Sequence, residues 1–202
     1  MSTIIFLNGC SSSGKTTIAK AIQYLANAPW LLWGIDTFFQ SMPPPYVGFG
    51  EKANEGFQFV ADQDEHGPIM CIHSGPLGEA IVKSIPKVVK TLADDGLNII
   101  VDEVLFEDTC LKYYVRALSN HTVYFIGILC DLNAMEEREI LRGDRALGLA
   151  RAQVARVHGP TRSYDLTVDS THISAFDNAR NILEFVSQNG NPQGFDKLRK
   201  TL

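Results

Sequence analysis

The feature that most constrains this chain is a glycine-rich stretch close to its N-terminus. Residues 9–16 read Gly-Cys-Ser-Ser-Ser-Gly-Lys-Thr, which matches the phosphate-binding loop (P-loop) pattern G-x-x-x-x-G-K-[ST] without a mismatch. The apolar run Thr3–Leu7 predicts a buried parallel strand before it, and apolar residues recur at helical spacing over residues 18–25 after it. The sequence therefore predicts a strand–loop–helix unit that binds phosphate.

Each part of this loop suits nucleoside triphosphate chemistry. Glycines let the backbone turn tightly and bring its N–H groups against a phosphate, and the helix that follows adds the positive end of its dipole. In this pattern Lys15 reaches the β- and γ-phosphates and the Thr16 hydroxyl ligates Mg²⁺. The expected ligands are ATP and Mg²⁺. The expected nucleotide-binding residues are Gly9, Cys10, Ser11, Ser12, Ser13, Gly14, Lys15, Thr16 and Thr17.

Two further carboxylates follow apolar runs, as expected at the carboxyl ends of parallel strands, where ligands bind in open α/β sheets. Residues 30–35 are mostly apolar and lead into Asp36, which predicts a second strand with Asp36 facing the phosphate loop. Position alone equally allows Asp36 to cap the next helix. Residues 98–101 lead into Asp102, which takes the place of the second carboxylate on the metal side of a P-loop enzyme, with Glu103 as a possible helper.

A predicted helix carries Arg138, Arg142 and Arg145 on one side. We expect residues 136–150 to form a lid whose arginines close over the phosphates, with Gly143 and Gly148 as hinges. The alternative is a solvated face on which neighbouring acids divide the arginines.

The segment 44–75 interrupts the strand–helix alternation. It begins within three consecutive prolines, residues 43–45, and contains scattered glycines and several aromatic residues. A long irregular segment in a compact domain is usually functional or disordered, and the aromatics argue against disorder. We expect it to contribute to an acceptor pocket and to contain a hairpin of residues 57–62 and 68–72. The alternative is a satellite core beneath a surface insertion. Residues 189–202 are expected to form a loose tail.

Strands that alternate with helices predict an α/β fold of the P-loop NTPase type, a doubly wound parallel sheet of about five strands with helices on both faces. The 202 residues suit a single P-loop kinase-like domain spanning 1–202. Such a domain would act on a small hydroxylated substrate bound beside the nucleotide.

The charge balance bears on partners and location. The net charge of −5 argues against nucleic acid or an anionic membrane as the main partner, and no apolar run approaches the ~20 residues that span a bilayer. The N-terminus lacks the features of a secretory signal, so we expect a cytoplasmic protein. The sequence leaves the oligomeric state open, with a homo-oligomer among the possibilities.

The four cysteines are scattered, which favours isolated thiols over zinc ligands or disulfides. Cys10 differs from the others because it lies in the phosphate loop, near Lys15 and a predicted helix N-terminus. That position predicts a lowered thiol pKa.

Several stretches, in order along nearly the whole chain, resemble the chloramphenicol phosphotransferases, small P-loop kinases that phosphorylate a hydroxyl of the antibiotic. The matching stretches are residues 4–9, 11–16, 29–36, 41–43, 99–104, 138–145 and 164–172. The resemblance implies that Asp36 is the general base that accepts the proton of the acceptor hydroxyl, and it favours the lid interpretation of the three arginines. It makes chloramphenicol a candidate acceptor.

The chain departs from the family pattern in two places. Cys10 stands where the family has glycine, and residues 44–75 match poorly. Because that segment is expected to contact the acceptor, the kinase chemistry carries over better than the identity of the substrate. Two alternatives stay open: a kinase for another small metabolite or a nucleoside, and a nucleotide-binding regulatory module without transfer activity.

Overall fold

The protein is described by a computed structural model that covers residues 2–143 and 146–202. Five strands form the main sheet, which is parallel throughout and has the order β2-β6-β1-β7-β8. These strands are β1 (Thr3–Asn8), β2 (Trp30–Gly34), β6 (Asn98–Glu103), β7 (Thr122–Leu129) and β8 (Leu166–Asp169). The predicted parallel α/β sheet of about five strands is confirmed.

Eight helices connect and cover the strands among the described residues. They are α1 (Lys15–Leu25), α2 (Ile35–Ser41), α3 (Pro76–Asp94), α4 (Asp108–Ala117), α5 (Leu132–Arg142), α6 (Leu149–Val157), α7 (Ala175–Gln188) and α8 (Gly194–Thr201). A short 3₁₀ turn, Pro44–Tyr46, follows α2.

The sheet is buried on both faces, and successive residues of the central strand alternate between two cores, because side chains of a strand point to opposite faces. Ile4 and Phe6 of β1 pack with α3, α4 and α8, whereas Ile5 and Leu7 pack with α1 and α7. This double burial explains why β1, β6 and β7 read as continuous apolar runs.

The segment 44–75 folds into a separate small sheet, β3 (Val47–Gly48), β4 (Phe57–Asp64) and β5 (Gly67–Ser74). Strands β4 and β5 are antiparallel and paired from Phe57 opposite Ser74 to Asp64 opposite Gly67, so the predicted hairpin is present and longer than expected. Strand β3 pairs in parallel with β4.

The prediction of a loose tail is wrong for residues 194–201. Helix α8 buries Phe195 and Leu198, which are 3% and 0% exposed, in the core that contains Phe6. The carboxylate of Asp165 accepts hydrogen bonds from the backbone N–H groups of Gln193 and Gly194 at 2.6 and 2.8 Å, which fixes the start of the helix. Apolar contacts and this anchor together order the segment.

Candidate active site

The loops that follow β1, β2 and β6 meet at the carboxyl-end edge of the main sheet, because these three strands are adjacent and parallel. Asp102 of β6 is paired with Leu7 of β1 on one side and with Gly34 of β2 on the other. A Cβ atom on Gly34 would lie 2.0 Å from the Asp102 carbonyl oxygen, so only glycine allows this approach. The phosphate loop, the start of α2 and the end of β6 are thereby brought together, as expected for ligand sites of such sheets.

The phosphate loop has the strained backbone of an anion-binding nest. Ser12 and Gly14 have positive φ angles of 59° and 88°, a conformation that exposes consecutive N–H groups on one side. The hydroxyl oxygens of Ser11, Ser12 and Ser13 are buried and make no hydrogen bond within the described residues. Buried polar groups normally have a partner, and three hydroxyl donors beside a nest of backbone N–H groups suit a phosphate.

Lys15, Thr16 and Asp102 form a polar cluster beneath the loop. The Lys15 ammonium, 7% exposed, donates to the Cys10 carbonyl oxygen at 2.8 Å and lies 3.9 Å from Oδ1 of Asp102. The Thr16 hydroxyl donates to Oδ2 of Asp102 at 2.6 Å. The sequence predicted Thr16 and Asp102 as the metal-side pair, and the fold brings their oxygens into contact although 86 positions separate them.

Glu103, directly after Asp102, points to the other face of the sheet. It is 5% exposed, and its Oε1 accepts the Tyr114 hydroxyl of α4 at 2.6 Å. Burial raises the pKa of Glu103 to about 7, although the Tyr114 hydrogen bond opposes the shift. The pKa of Tyr114 is raised well above its ordinary value by burial and by the neighbouring Glu103.

The prediction of a lowered pKa for Cys10 is wrong. Its side chain is 2% exposed and packs with Met135, Ala150 and Val157. Burial raises the thiol pKa to about 11 and outweighs the nearby Lys15, which acts in the opposite direction. The thiol is therefore a packing group behind the loop.

A cleft of about 1200 Å³ runs from the phosphate loop across the sheet edge to the small β3–β4–β5 sheet. Lys15, Thr16, Asp102 and Asp36 all line it. Asp36 is half-buried in the first turn of α2, two residues after β2 ends. It therefore lies inside the helix, and Gly34 occupies the N-cap position. The predicted meeting of Asp36 with the phosphate loop in one cleft is present.

The far wall of the cleft is aromatic. Phe39 of α2 and Phe57 of β4 stack edge to face with ring centroids 4.7 Å apart, and both line the cleft together with Phe59. Phe49, also from the segment 44–75, is 74% exposed and contacts Phe59 from outside, at 5.8 Å between centroids. The segment thus supplies an apolar surface opposite the polar phosphate loop.

The predicted arginines occupy different positions. Arg138 of α5 donates to the Ser170 carbonyl oxygen at 2.7 Å and to the Ser12 carbonyl oxygen at 3.5 Å, so it holds the phosphate loop from its outer side. Arg142, one turn later, is exposed and lines the cleft. Arg145 lies outside the described residues. The predicted hinges Gly143 and Gly148 have φ angles of 65° and 87°, which only glycine adopts readily.

Sequence reasoning missed the role of α6. Glu139 of α5 is 1% exposed, and its carboxylate accepts from the backbone N–H groups of Gly148 and Ala150 at 2.9 and 2.8 Å, which seats the start of α6. Gln153, 8% exposed in the middle of α6, accepts a hydrogen bond from the Ser11 backbone N–H at 2.7 Å. A glutamine within a helix carries no sequence signal for such a contact.

A membrane-spanning helix is absent from the part of the chain that the structure describes, since none of its helices is both long and apolar enough.

Comparison with known proteins agrees with this geometry. The family model described as "Chloramphenicol phosphotransferase-like protein" matches residues 2–187. A Mycobacterium tuberculosis (strain H37Rv) protein named "Putative O-phosphotransferase Rv2636" is 29% identical over 198 residues, which cover 98% of this chain and 88% of the relative.

Solved structures share the fold at low sequence identity. The adenylyl-sulfate (APS) kinase CysC of M. tuberculosis, solved with AMPPNP and APS, aligns with a TM-score of 0.64 and 14% identity over 92% of this chain and 98% of its own. A gluconokinase from Sinorhizobium meliloti aligns with a TM-score of 0.57 and 15% identity over 93% and 92%. The fold is that of P-loop kinases, and the match over residues 2–187 shows that the chain belongs to the family of chloramphenicol phosphotransferase-like proteins.

Proposed function

We propose that this protein transfers the γ-phosphate of ATP to a hydroxyl group of a small molecule, with Mg²⁺ as cofactor. The observation that carries the proposal is the single cleft of about 1200 Å³ that joins the phosphate loop to Asp36 and to an aromatic wall. A regulator that only bound nucleotide would need no second compartment with its own carboxylate. The continuous cleft therefore favours transfer over binding alone.

The nucleotide half of the cleft would be formed by residues 9–17. The buried, unpartnered hydroxyls of Ser11, Ser12 and Ser13 suit phosphate oxygens. Lys15 would neutralise charge on the β- and γ-phosphates. The side chains of Arg142 and Arg145 would add positive charge where charge spreads over the phosphoryl group during transfer. Arg138, which donates to the carbonyl oxygens of Ser170 and Ser12, would act by holding the phosphate loop in place.

Thr16 and Asp102 would hold Mg²⁺, since hydroxyl and carboxylate oxygens are ligands that this ion prefers. Within residues 2–143 and 146–202, no group of three or more His, Cys, Asp or Glu side chains could hold a metal ion. Mg²⁺ typically binds through one or two protein ligands and substrate phosphates, so its binding should depend on the nucleotide. When bound, it would neutralise the phosphate charge.

Asp36 would act as general base. In the proposed reaction the acceptor oxygen forms a bond to the γ-phosphorus, the bond from phosphorus to the β–γ bridging oxygen breaks to release ADP, and the acceptor proton passes to the Asp36 carboxylate. The aromatic side chains of Phe39, Phe57 and Phe59 would bind an apolar part of the acceptor. Chloramphenicol, the substrate after which the family is named, is the first acceptor to test.

The test is transfer of ³²P from γ-labelled ATP with Mg²⁺, offered chloramphenicol beside a panel of small hydroxylated compounds. Asp36→Asn should lower turnover by ~10²–10⁴-fold, the usual contribution of a general base, and Lys15→Ala should remove most transfer. The matched control is Asp62→Asn on the exposed side of β4. Within the described residues, the Asp62 carboxylate accepts a single hydrogen bond, from the neighbouring Gln63 N–H.

Near-normal turnover of Asp36→Asn would refute its role as base. If another compound in the panel is labelled instead of chloramphenicol, the proposed mechanism stands and that compound is the acceptor. ATP binding with no acceptor-dependent transfer across the panel would favour a nucleotide-binding regulatory module.

A further inference from the structure

Gln153 occupies a position where the helix is otherwise apolar. On α6 it shares the buried face with Leu149, Ala150 and Val157, which pack in the interior. Burying a carboxamide without satisfying its hydrogen-bonding groups is unfavourable. The carbonyl oxygen of the carboxamide has its partner in the Ser11 backbone N–H. The amide nitrogen has no partner within the described residues and is not one of their fully buried unpartnered atoms, so it reaches open space.

The orientation of this carboxamide is fixed by its one hydrogen bond. The Ser11 backbone N–H can only donate, so the group at 2.7 Å must be the carbonyl oxygen Oε1 of Gln153. The amide nitrogen Nε2 then lies at the other end. No residue in the described part of the chain accepts a hydrogen bond from it.

The cleft that Gln153 borders carries hydrogen-bond donors at its phosphate loop. The Gln153 side chain borders the cleft together with Lys15 and Ser11. The Ser11 hydroxyl has no partner in the described residues, and the Lys15 ammonium has donors beyond the one it gives to the Cys10 carbonyl oxygen. A ligand suited to an ammonium, a hydroxyl and an amide that line one cleft is an anion with several oxygens.

Helix α6 holds Gln153 firmly at this point. Glu139 accepts from the first backbone N–H groups of the helix. Arg151 donates to Oε1 of Glu136 at 2.6 Å and to the His66 carbonyl oxygen of the β4–β5 turn at 2.7 Å. The amide is therefore positioned in advance, as effective transition-state binding requires.

We infer that Gln153 is a further phosphoryl-binding residue, which anchors the phosphate loop through its carbonyl oxygen and donates from its amide nitrogen to the terminal phosphoryl group of the nucleoside triphosphate. The inference rests on the proposed function. It predicts that Gln153 distinguishes triphosphate from diphosphate, because ADP lacks the group that the amide would contact.

The test is the ratio of AMPPNP affinity to ADP affinity, measured by calorimetry with excess Mg²⁺. Gln153→Glu keeps an oxygen for the Ser11 N–H and replaces the amide donor by a carboxylate oxygen. Gln153→Met keeps the length of the side chain and removes both functions without burying a charge, so it serves if the glutamate variant fails to fold. Loss of the hydrogen bond to the Ser11 N–H alone would weaken the binding of both nucleotides equally. The ratio of AMPPNP affinity to ADP affinity would then stay unchanged.

In both variants AMPPNP affinity should fall relative to ADP by about 10-fold or more, the effect of losing a hydrogen bond to a charged group. Gln40→Glu, which adds the same charge on α2 at the edge of the same cleft, should leave the ratio unchanged. A ratio within about twofold of wild type in both Gln153 variants would overturn this inference and leave the proposed function standing. A wild-type protein that binds neither nucleotide would overturn the proposed function, and the role of Gln153 with it.

Discussion

Replacing Leu198 by alanine tests whether the C-terminal helix α8 is an integral part of the core. Leu198 is 0% exposed, in the cluster that contains Phe6, Phe125 and Phe195. The substitution removes the burial of three carbon atoms and leaves a cavity that the sheet and its helices can fill only in part. For a fully buried leucine the cost is about 2–5 kcal/mol of unfolding free energy.

The magnitude should fall near the middle of this range, at about 3 kcal/mol, because the surrounding rings are held by one another. The Phe6 and Phe125 centroids are each within 5.6 Å of the Phe195 centroid. A chain of this size loses about 2–4 °C in Tm per kcal/mol. We therefore expect Tm to fall by roughly 6–12 °C.

The assay is urea unfolding of nucleotide-free protein followed by circular dichroism, with Tm from calorimetry. Lys200→Ala is the matched control, since Lys200 is exposed on the same helix and surface substitutions usually stay within about 0.5 kcal/mol. A loss below about 1 kcal/mol for Leu198→Ala would refute the packing of α8 into this core.

Three further predictions concern the sheet edge. Burial raises the pKa of Glu103 from 4.5 to about 7, so the folded state holds its proton more tightly and wild-type stability should fall by up to about 3 kcal/mol as pH rises from 4.5 to 7. The stability of Glu103→Gln, measured by urea unfolding of metal-free protein, should not show this pH dependence. Equal slopes of stability against pH in the wild type and the variant would contradict the prediction. Burial also raises the pKa of the Cys10 thiol to about 11. Alkylation of Cys10 at pH 8, read by peptide mass spectrometry, should therefore be about 100-fold slower than alkylation of a free thiol. Rapid labelling of Cys10 in the folded protein would contradict this prediction. Gly34→Ala places a Cβ 2.0 Å from the Asp102 carbonyl oxygen and should lower the free energy of unfolding in urea by about 1–3 kcal/mol. The control is Gly190→Ala, where a Cβ would meet none of the described atoms within 4 Å, and it should lower the free energy less. Equal losses in the two variants would argue against the close approach at Gly34.

Features that depend on a local sequence pattern could be predicted from the sequence. Strands buried on both faces must be apolar throughout, so β1, β6 and β7 were recognisable without any alignment. The P-loop pattern locates Lys15 and Thr16, and the rule that parallel strands present ligands at their carboxyl ends locates Asp102. Outside residues 44–75, the alternation of strands with helical segments then leaves few topologies to choose from.

Features that depend on distant contacts were missed. Gln153 is hydrogen-bonded to Ser11 although 142 positions separate them. The residues around neither of them carry a sequence pattern that predicts this contact. Helix α8 follows a stretch rich in asparagine and glycine that is typical of a loop. The helix is held in place because it packs against the phenylalanine rings of the core. The error on Cys10 has another cause, since the charge of Lys15 can be read from the sequence and the burial of the thiol cannot.

The small sheet β3–β4–β5 has a consequence for how a protein of this kind could diversify. One continuous segment, residues 47–74, supplies all three of its strands. Among the residues that the structure describes, this segment shares no strand pairing with the sheet that carries the phosphate loop. Exchange of this segment between relatives would replace Phe57 and Phe59 on the proposed acceptor side of the cleft and leave the strands behind Lys15, Thr16 and Asp102 unchanged. Selection for a new acceptor could then act on one short stretch of the gene, while the residues that handle the nucleotide are inherited intact.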